Sequence, residues 1–154
     1  MKEAIISLGL GCFGVCPPQP KSVTLNRKRL LFVDDEPAIR ATLPVILRRY
    51  GFIVTVAATV AQALEQISTT EFDLLLCDLN IDREGDGYEV VRAIQKVNPS
   101  CVTIILTGNP DVESAIQGIR LSIDDYIIKP TNADTLVALL ANKLSLLQVP
   151  KQSE

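Results

Sequence analysis

Four short apolar runs in this chain each end on a side chain able to do chemistry. Leu30-Leu31-Phe32-Val33 ends in the acidic pair Asp34-Asp35, and Leu74-Leu75-Leu76-Cys77 ends in Asp78. Residues 102–106 end in Thr107, and Tyr126-Ile127-Ile128 ends in Lys129-Pro130. Uninterrupted apolar runs read as strands buried on both faces, as in a parallel sheet. Each polar group then stands at the C-terminal edge of its strand, where open α/β sheets bind ligands. Any one of them has an ordinary reading, because Asp begins turns and caps helices, and a lysine before a proline suits a surface turn. Together they offer carboxylates, a hydroxyl and an amine along one edge. The chain has no histidine. That removes the commonest general base, His-dependent triads and imidazole metal ligands. It also means that the chain cannot carry a phosphohistidine of its own.

The totals fit one domain with a real core: 154 residues, 47% of them hydrophobic,. A mean hydropathy of +0.26 is explained by buried parallel strands. A net charge of -3 argues against a general nucleic-acid binder,. The basic run Arg27-Lys28-Arg29 reads as a solubilising lead-in to a strand. Cys77 and Cys101 lie in or beside apolar runs, where free Cys acts as a small hydrophobe,. Cys12 and Cys16 have no histidine to complete a zinc set,. This usage suits a reducing cytoplasm. The apolar stretch 4–16 is too short to span a bilayer, and Glu3 spoils a signal peptide's basic start,. Pro17, Pro18 and Pro20 make a stiff linker,. The expected organisation is a poorly ordered tail over 1–25, one domain over 26–149 and a short tail over 150–154.

Between these tails, strands alternate with helices. Pro37 suits a first helical turn, with Ile39, Leu43, Ile46, Leu47 and Tyr50 inward and Gly51 as the stop,. Pro44 inside that helix predicts a bend,. A strand over 53–57 follows, then a capping box from Thr59 and Gln62 with Ala63, Leu64 and Ile67 inward,. After the Asp78 strand, Asp86 and Glu89 suit the cap of a helix that buries Val90, Val91, Ile94 and Val97,. Pro110 opens the fourth helix, with Asp111 and Glu113 at its positive end and Val112, Ile116 and Ile119 on its core face,. Thr131 and Asp134 suit the cap of a last helix burying Leu136, Leu140, Leu144 and Leu147. Five strands and five helices in alternation imply a doubly wound α/β fold with a five-stranded parallel sheet.

The set Val33-Asp34-Asp35-Glu36-Pro37, Asp78, Thr107 and Asp125-Tyr126-Ile127-Ile128-Lys129-Pro130 closely resembles the receiver domain of bacterial two-component response regulators. The resemblance spans residues 29 to 149, and Lys129 falls at the expected remove from Asp78. It implies a flavodoxin-like strand order of 2-1-3-4-5, a cytoplasmic location and a phospho-acceptor role with no output domain. In that order the first and third strands are neighbours, so Asp34, Asp35 and Asp78 converge. Two like charges ~4 Å apart repel by roughly 4 kcal/mol near a protein surface, so three carboxylates need a cation. Oxygen-only ligands point to Mg2+. By resemblance Asp35 and Asp78 ligate it with their carboxylates, Asn80 through its backbone carbonyl and Asp34 largely through water. Asp78 is the expected nucleophile toward a phosphohistidine on a sensor histidine kinase or phosphotransfer protein. Lys129 offsets phosphoryl charge, Thr107 donates a hydrogen bond, and by resemblance Tyr126 is a switch that turns inward when Thr107 moves toward the phosphoryl group. Gly108 leaves room for the phosphoryl group, and the Lys129–Pro130 bond is expected to be cis, aiming the lysine inward.

One departure stands out. The family usually runs Leu-x-Met-Pro-x-Met-Asp-Gly after its active Asp; here Leu79-Asn80-Ile81-Asp82-Arg83-Glu84-Gly85-Asp86-Gly87 lacks the proline and delays Asp-Gly by one residue. The competing readings are a Mg2+-dependent aspartyl phosphatase of the haloacid dehalogenase type and a binding module that has lost phosphorylation. The first wants Asp-x-Asp where this chain has Asp34-Asp35-Glu36. The intact acidic set speaks against the second. A receiver is a signalling domain rather than an enzyme. It would switch the surface of its fourth helix, fifth strand and fifth helix toward an unidentified downstream protein. A dimer through that surface is open, with Asp124 and Asp125 facing Lys143. Neither nucleic acid nor membrane is an expected partner.

Overall fold

The computed structural model describes residues 27–108, 111–129 and 132–148. The predicted alternation holds throughout. β1 (Arg29–Val33), β2 (Ile53–Ala57), β3 (Leu74–Asp78), β4 (Val102–Thr107) and β5 (Asp125–Ile128) alternate with α1 (Pro37–Arg49), α2 (Val60–Thr69), α3 (Gly87–Val97), α4 (Val112–Arg120) and α5 (Ala133–Gln148). The strands form one sheet in the order β2-β1-β3-β4-β5, and every neighbouring pair is parallel. This is the doubly wound, flavodoxin-like arrangement expected from the sequence.

Alternation along each strand divides the core in two, because successive side chains point to opposite faces. Leu31, Val33, Leu75, Cys77 and Ile105 face α2 and α3 with Ala63, Ile67, Val90, Val91 and Ile94. Leu30, Phe32, Leu74, Leu76, Ile104 and Leu106 face α1 and α5 with Leu47, Leu136, Leu140 and Leu144. β3 is buried along its whole length. A Leu→Ala change there costs about 2–5 kcal/mol, so the strand that ends in Asp78 is firmly held. Cys77 and Cys101 are free and buried, as small hydrophobes would be.

The helix ends match the sequence in part. Gln62 N–H donates to Thr59 Oγ1, which is the expected cap of α2, while Gln62 Oε1 reaches back to accept from Ala58 N–H, one residue before the capping Thr59. Gly51 follows α1 at a φ of 103°, a conformation that glycine adopts without steric cost. Asp111 caps α4 by accepting from Ser114 N–H. Pro110, the expected opener of α4, and Thr131, an expected cap of α5, lie outside the described residues, as do both tails.

Several expected inward faces are corrected. Tyr50 is exposed, and its hydroxyl donates to Asp134 on α5. It falls at the C-terminal end of α1, beyond the sheet it would cover. Val97 is exposed for the same reason at the end of α3. On α4, Val112 and Ile119 are each 77% exposed and Ile116 is 44% exposed; only Gly118 is buried there. Helical period marks an apolar stripe, but it does not say whether the sheet extends beneath it. β5 is a four-residue edge strand, and Gly118 is the one residue of α4 that is fully buried against the body. A Cβ at Gly118 would come within 2.9 Å of Ile123 and 3.1 Å of the Tyr88 hydroxyl. Glycine therefore permits that close contact. Asp86 does not cap α3, having no side-chain bond to that helix. Glu36 precedes α1 without a side-chain cap either, although Asp34 Oδ1 accepts from Glu36 N–H at 2.9 Å.

Candidate functional site at the C-terminal edge of the sheet

Asp34 and Asp78 are placed by adjacent strands. β1 and β3 pair with Val33 opposite Cys77, so the residues that follow each come side by side. Asp34 is fully buried and Asp78 nearly so, whereas Asp35 is exposed. One carboxylate oxygen from each of Asp34, Asp35 and Asp78 lies within 4.8 Å of the others. Lys129 reaches into this group from the end of β5. Its Nζ donates to Asp34 Oδ2 at 2.9 Å and to Asp78 Oδ2 at 3.1 Å. The lysine is aimed by its backbone, because Lys129 N–H donates to the Thr107 carbonyl at 2.7 Å.

Two groups have shifted proton affinities. Burial raises the Asp78 pKa; hydrogen bonding and charge from Lys129 pull it down, and the Asp34 charge pushes it up again. The balance leaves Asp78 easier to protonate than an ordinary aspartate. Burial alone would lower the Lys129 pKa, but the hydrogen bonds and charges of Asp34 and Asp78 outweigh it and leave the ammonium more firmly protonated. One ammonium thus faces three carboxylates. The surplus negative charge, the oxygen-only donors and their spacing fit a hard divalent cation. Asp34, Asp35 and Asp78 could hold it; Asn80, the other expected ligand, lies two residues past Asp78 on the loop after β3, where its N–H donates to Asp78 Oδ1.

Thr107 is buried at the end of β4, with Ile128 opposite it on β5. Tyr126 sits two positions earlier on β5, where its hydroxyl is buried. Burial raises the pKa of that hydroxyl, and the Thr107 side chain beside it works the other way. The ring is thus already turned in, packed with Ile123 against the α3 side of the core. Gly108 is exposed, and a Cβ there would meet nothing within 4 Å. The approach is open, but it does not depend on glycine. Beside the site runs an apolar groove of about 570 Å3 between α1 and α5, lined by Ile39, Leu43, Ile46 and Leu106 and reaching Gly108 and Lys129. Pro130, and with it the expected cis bond, lies outside the described residues. Asp124 accepts from Thr103 N–H at 2.8 Å, and Asp125 pairs with Lys143 of the same chain at 3.8 Å. Both acids expected to face a second copy are therefore engaged internally.

The sequence reading missed how the β3–α3 loop is braced. Asp86 accepts three backbone N–H groups from Ile81, Asp82 and Arg83. Asp82 Oδ2 accepts from Val60 N–H on α2 at 3.0 Å, and Asn80 Oδ1 accepts from Gly85 N–H at 2.7 Å. Gly87 N–H donates to the Leu79 carbonyl at 2.8 Å, and a Cβ at Gly87 would lie 2.2 Å from the Asp78 carbonyl oxygen. Only glycine fits there. The Asp86-Gly87 pair was the available signal, since both residue types favour tight loops. Tyr88 was missed as well: its hydroxyl donates to the Ser114 carbonyl and ties α3 to α4. Burial is the main cause that lifts the Tyr88 pKa to about 12.

Residues 30–141 match the response regulator receiver domain family. The transcriptional regulatory protein ZraR of Escherichia coli K12 is 36% identical over 116 residues, covering 75% of this chain but 26% of that protein. The chain therefore spans about a quarter of the length of that curated relative. A response regulator receiver domain protein (CheY-like) from Methanospirillum hungatei JF-1 superposes with a TM-score of 0.74 at 32% identity, covering 79% of this chain and 97% of that one. The receiver domain of sensor histidine kinase PA1611 from Pseudomonas aeruginosa PAO1 shares the fold, with a TM-score of 0.68 at 24% identity over 77% of this chain and 98% of that one; it was solved with a magnesium ion in its active-site cleft. Among the described residues no helix is long and apolar enough to cross a membrane. The acidic edge, the inward lysine and the strand order arise here from the same stretch that matches, and this chain belongs to the response regulator receiver domain family.

Proposed function

We propose that Asp78 is the phospho-acceptor of this receiver domain and that the site works with one Mg2+. The observation that carries the reading is the Lys129 ammonium held between Asp34 and Asp78, beside a third carboxylate at the edge of the sheet. Asp34, Asp35, Asp78 and the Asn80 carbonyl would hold the metal, which when bound offsets charge on the phosphoryl oxygens. An Asp78 carboxylate oxygen attacks the phosphorus of a phosphohistidine on a partner kinase or phosphotransfer protein. The new P–O bond forms as the P–N bond breaks, and the imidazole leaves with the electron pair. Lys129 and Thr107 remain as donors to the transferred group. The apolar α1–α5 groove offers the donor protein a surface next to Asp78.

Phosphorylation then draws Thr107 toward the new anion and resets its neighbour Tyr126. The consequence reaches the surface of α4, β5 and α5, where Val112 and Ile119 already stand exposed. A protein partner reads that surface. The domain catalyses only its own phosphorylation and dephosphorylation. Incubation with acetyl phosphate, with and without Mg2+, tests the reading. The expected product is one acid-stable, hydroxylamine-labile acyl phosphate per chain, formed only with metal. Turnover of many equivalents without accumulation would instead indicate a phosphatase.

A further inference from the structure

Asp86 has no part in the chemistry described so far, yet it is the most heavily engaged carboxylate of the loop after β3. It is 7% exposed. Its Oδ1 accepts from Ile81 N–H at 2.8 Å, and its Oδ2 accepts from Asp82 and Arg83 N–H at 2.9 and 2.8 Å. The first of these bonds bears on the cation site. The Ile81 N–H and the Asn80 carbonyl belong to one peptide unit. That unit is planar and trans, so its N–H and C=O point in opposite directions. Anchoring the N–H on Asp86 fixes the peptide plane and sends the Asn80 carbonyl to the side away from Asp86. Donation to a carboxylate also polarises the peptide, leaving more negative charge on the carbonyl oxygen. The other side of Asn80 is fixed too: its N–H donates to Asp78 Oδ1 at 3.3 Å, and its Oδ1 holds Gly85 N–H.

We propose that Asp86 is a positioning residue for the divalent cation, orienting and polarising the Asn80–Ile81 peptide so that the Asn80 carbonyl is preset as a ligand. The proposal rests on the reading of Asp34, Asp35, Asp78 and Asn80 as the cation site. Asparagine at this position offers one acceptor oxygen for three donors and sets its own NH2 against the others.

The test is Mn2+ binding to the full chain, followed by electron paramagnetic resonance, in the wild type, Asp86→Asn and Asp82→Ala. Partners that orient metal ligands typically matter by 10–100-fold, and Asp86→Asn is expected to weaken Mn2+ binding about tenfold. Asp82→Ala removes the loop's tie to α2 and is expected to leave the affinity unchanged. In the wild type, the Ile81 amide proton should move downfield along the Mg2+ saturation curve. Equal affinity in the wild type and Asp86→Asn overturns the proposal, and so does an equal loss in Asp82→Ala. If Asp86→Asn fails to fold, the Ile81 resonance decides: an unmoved amide at saturating Mg2+ overturns the proposal. Absence of Mn2+ binding by the wild type would bring down the cation-site reading and this proposal together, whereas equal binding in Asp86→Asn brings down this proposal alone.

Discussion

At the scale of single residues, the site is held under electrostatic tension. Asp78 sits where burial and the Asp34 charge oppose its ionisation, and Lys129 only partly relieves this. A carboxyl whose folded pKa lies above its unfolded value lends the fold stability fully below the unfolded pKa. That contribution is lost as pH rises through the folded pKa. At neutral pH the ionised Asp78 is therefore a cost to the metal-free protein. Asp78→Asn keeps the shape and an acceptor for Lys129 but removes the charge. We expect it to raise the melting temperature of metal-free protein at pH 7, with the gap closing as pH falls through the ordinary carboxylate range near 4. Thermal melts across pH check this, and a variant less stable than wild type at pH 7 would contradict it. Mg2+ in the proposed site would act on the same tension from the other side. Binding only to the folded state adds RT ln(1 + [L]/Kd), a few kcal/mol at most for a weak site in millimolar metal. Asp35→Ala removes one expected ligand, so its Mg2+-induced melting shift should be clearly smaller. Equal shifts in both proteins would refute Asp35 as a ligand.

At the scale of elements, the strands were the most legible part of the chain. Parallel strands buried on both faces are continuous apolar runs, and each one ends abruptly in a polar group, so Asp34, Asp78, Thr107 and Lys129 could be placed before any geometry was known. Helix existence was legible from period and caps, as with Thr59 and Gln62. What lies beneath a helix was not, because that depends on how far the sheet extends; Val112, Ile116 and Ile119 therefore face solvent. Loop bracing was hidden for another reason. Asp86 and Gly87 act through backbone N–H groups and close approach, and the Asp-Gly pair signals a tight loop without saying which backbone groups it braces. The steric case is sharp at Gly87, where a Cβ would meet the Asp78 carbonyl at 2.2 Å. Overpacking of this kind costs about 1–3 kcal/mol, or more where backbone must move. Gly87→Ala should therefore lower the melting temperature and slow phosphorylation, since the displaced backbone carries Asp78. Gly108→Ala meets open space and should stay within about 0.5 kcal/mol of wild type. Urea melts of the two variants make the comparison. Equal stability would mean that the β3–α3 loop is looser than its geometry.

At the scale of the molecule, the sheet separates two half-cores, and the site sits on the edge where β1, β3, β4 and β5 end together. The side chains that meet the Asp78 carboxylate are thus close to strand ends: Lys129 follows β5, and Asp34 follows β1. The proposed route outward runs through Thr107 and Tyr126 to α4, which buries Gly118 and is tied by Tyr88 to α3. An element that buries so little can shift when its neighbours do. With beryllofluoride mimicking the phosphoryl group, amide exchange should change at Tyr126 and along α4. Changes confined to the loops around Asp78 would leave a phosphate sink as the better description. All of this depends on the acceptor being Asp78. The measurement that bears on it most directly is peptide-level mass spectrometry after treatment with acetyl phosphate and Mg2+, in the wild type and in folded Asp78→Asn. A single acyl phosphate on the peptide containing Asp78, absent from the variant, is the expected result; a phosphoryl group on any other residue, or undiminished incorporation in Asp78→Asn, would contradict the account.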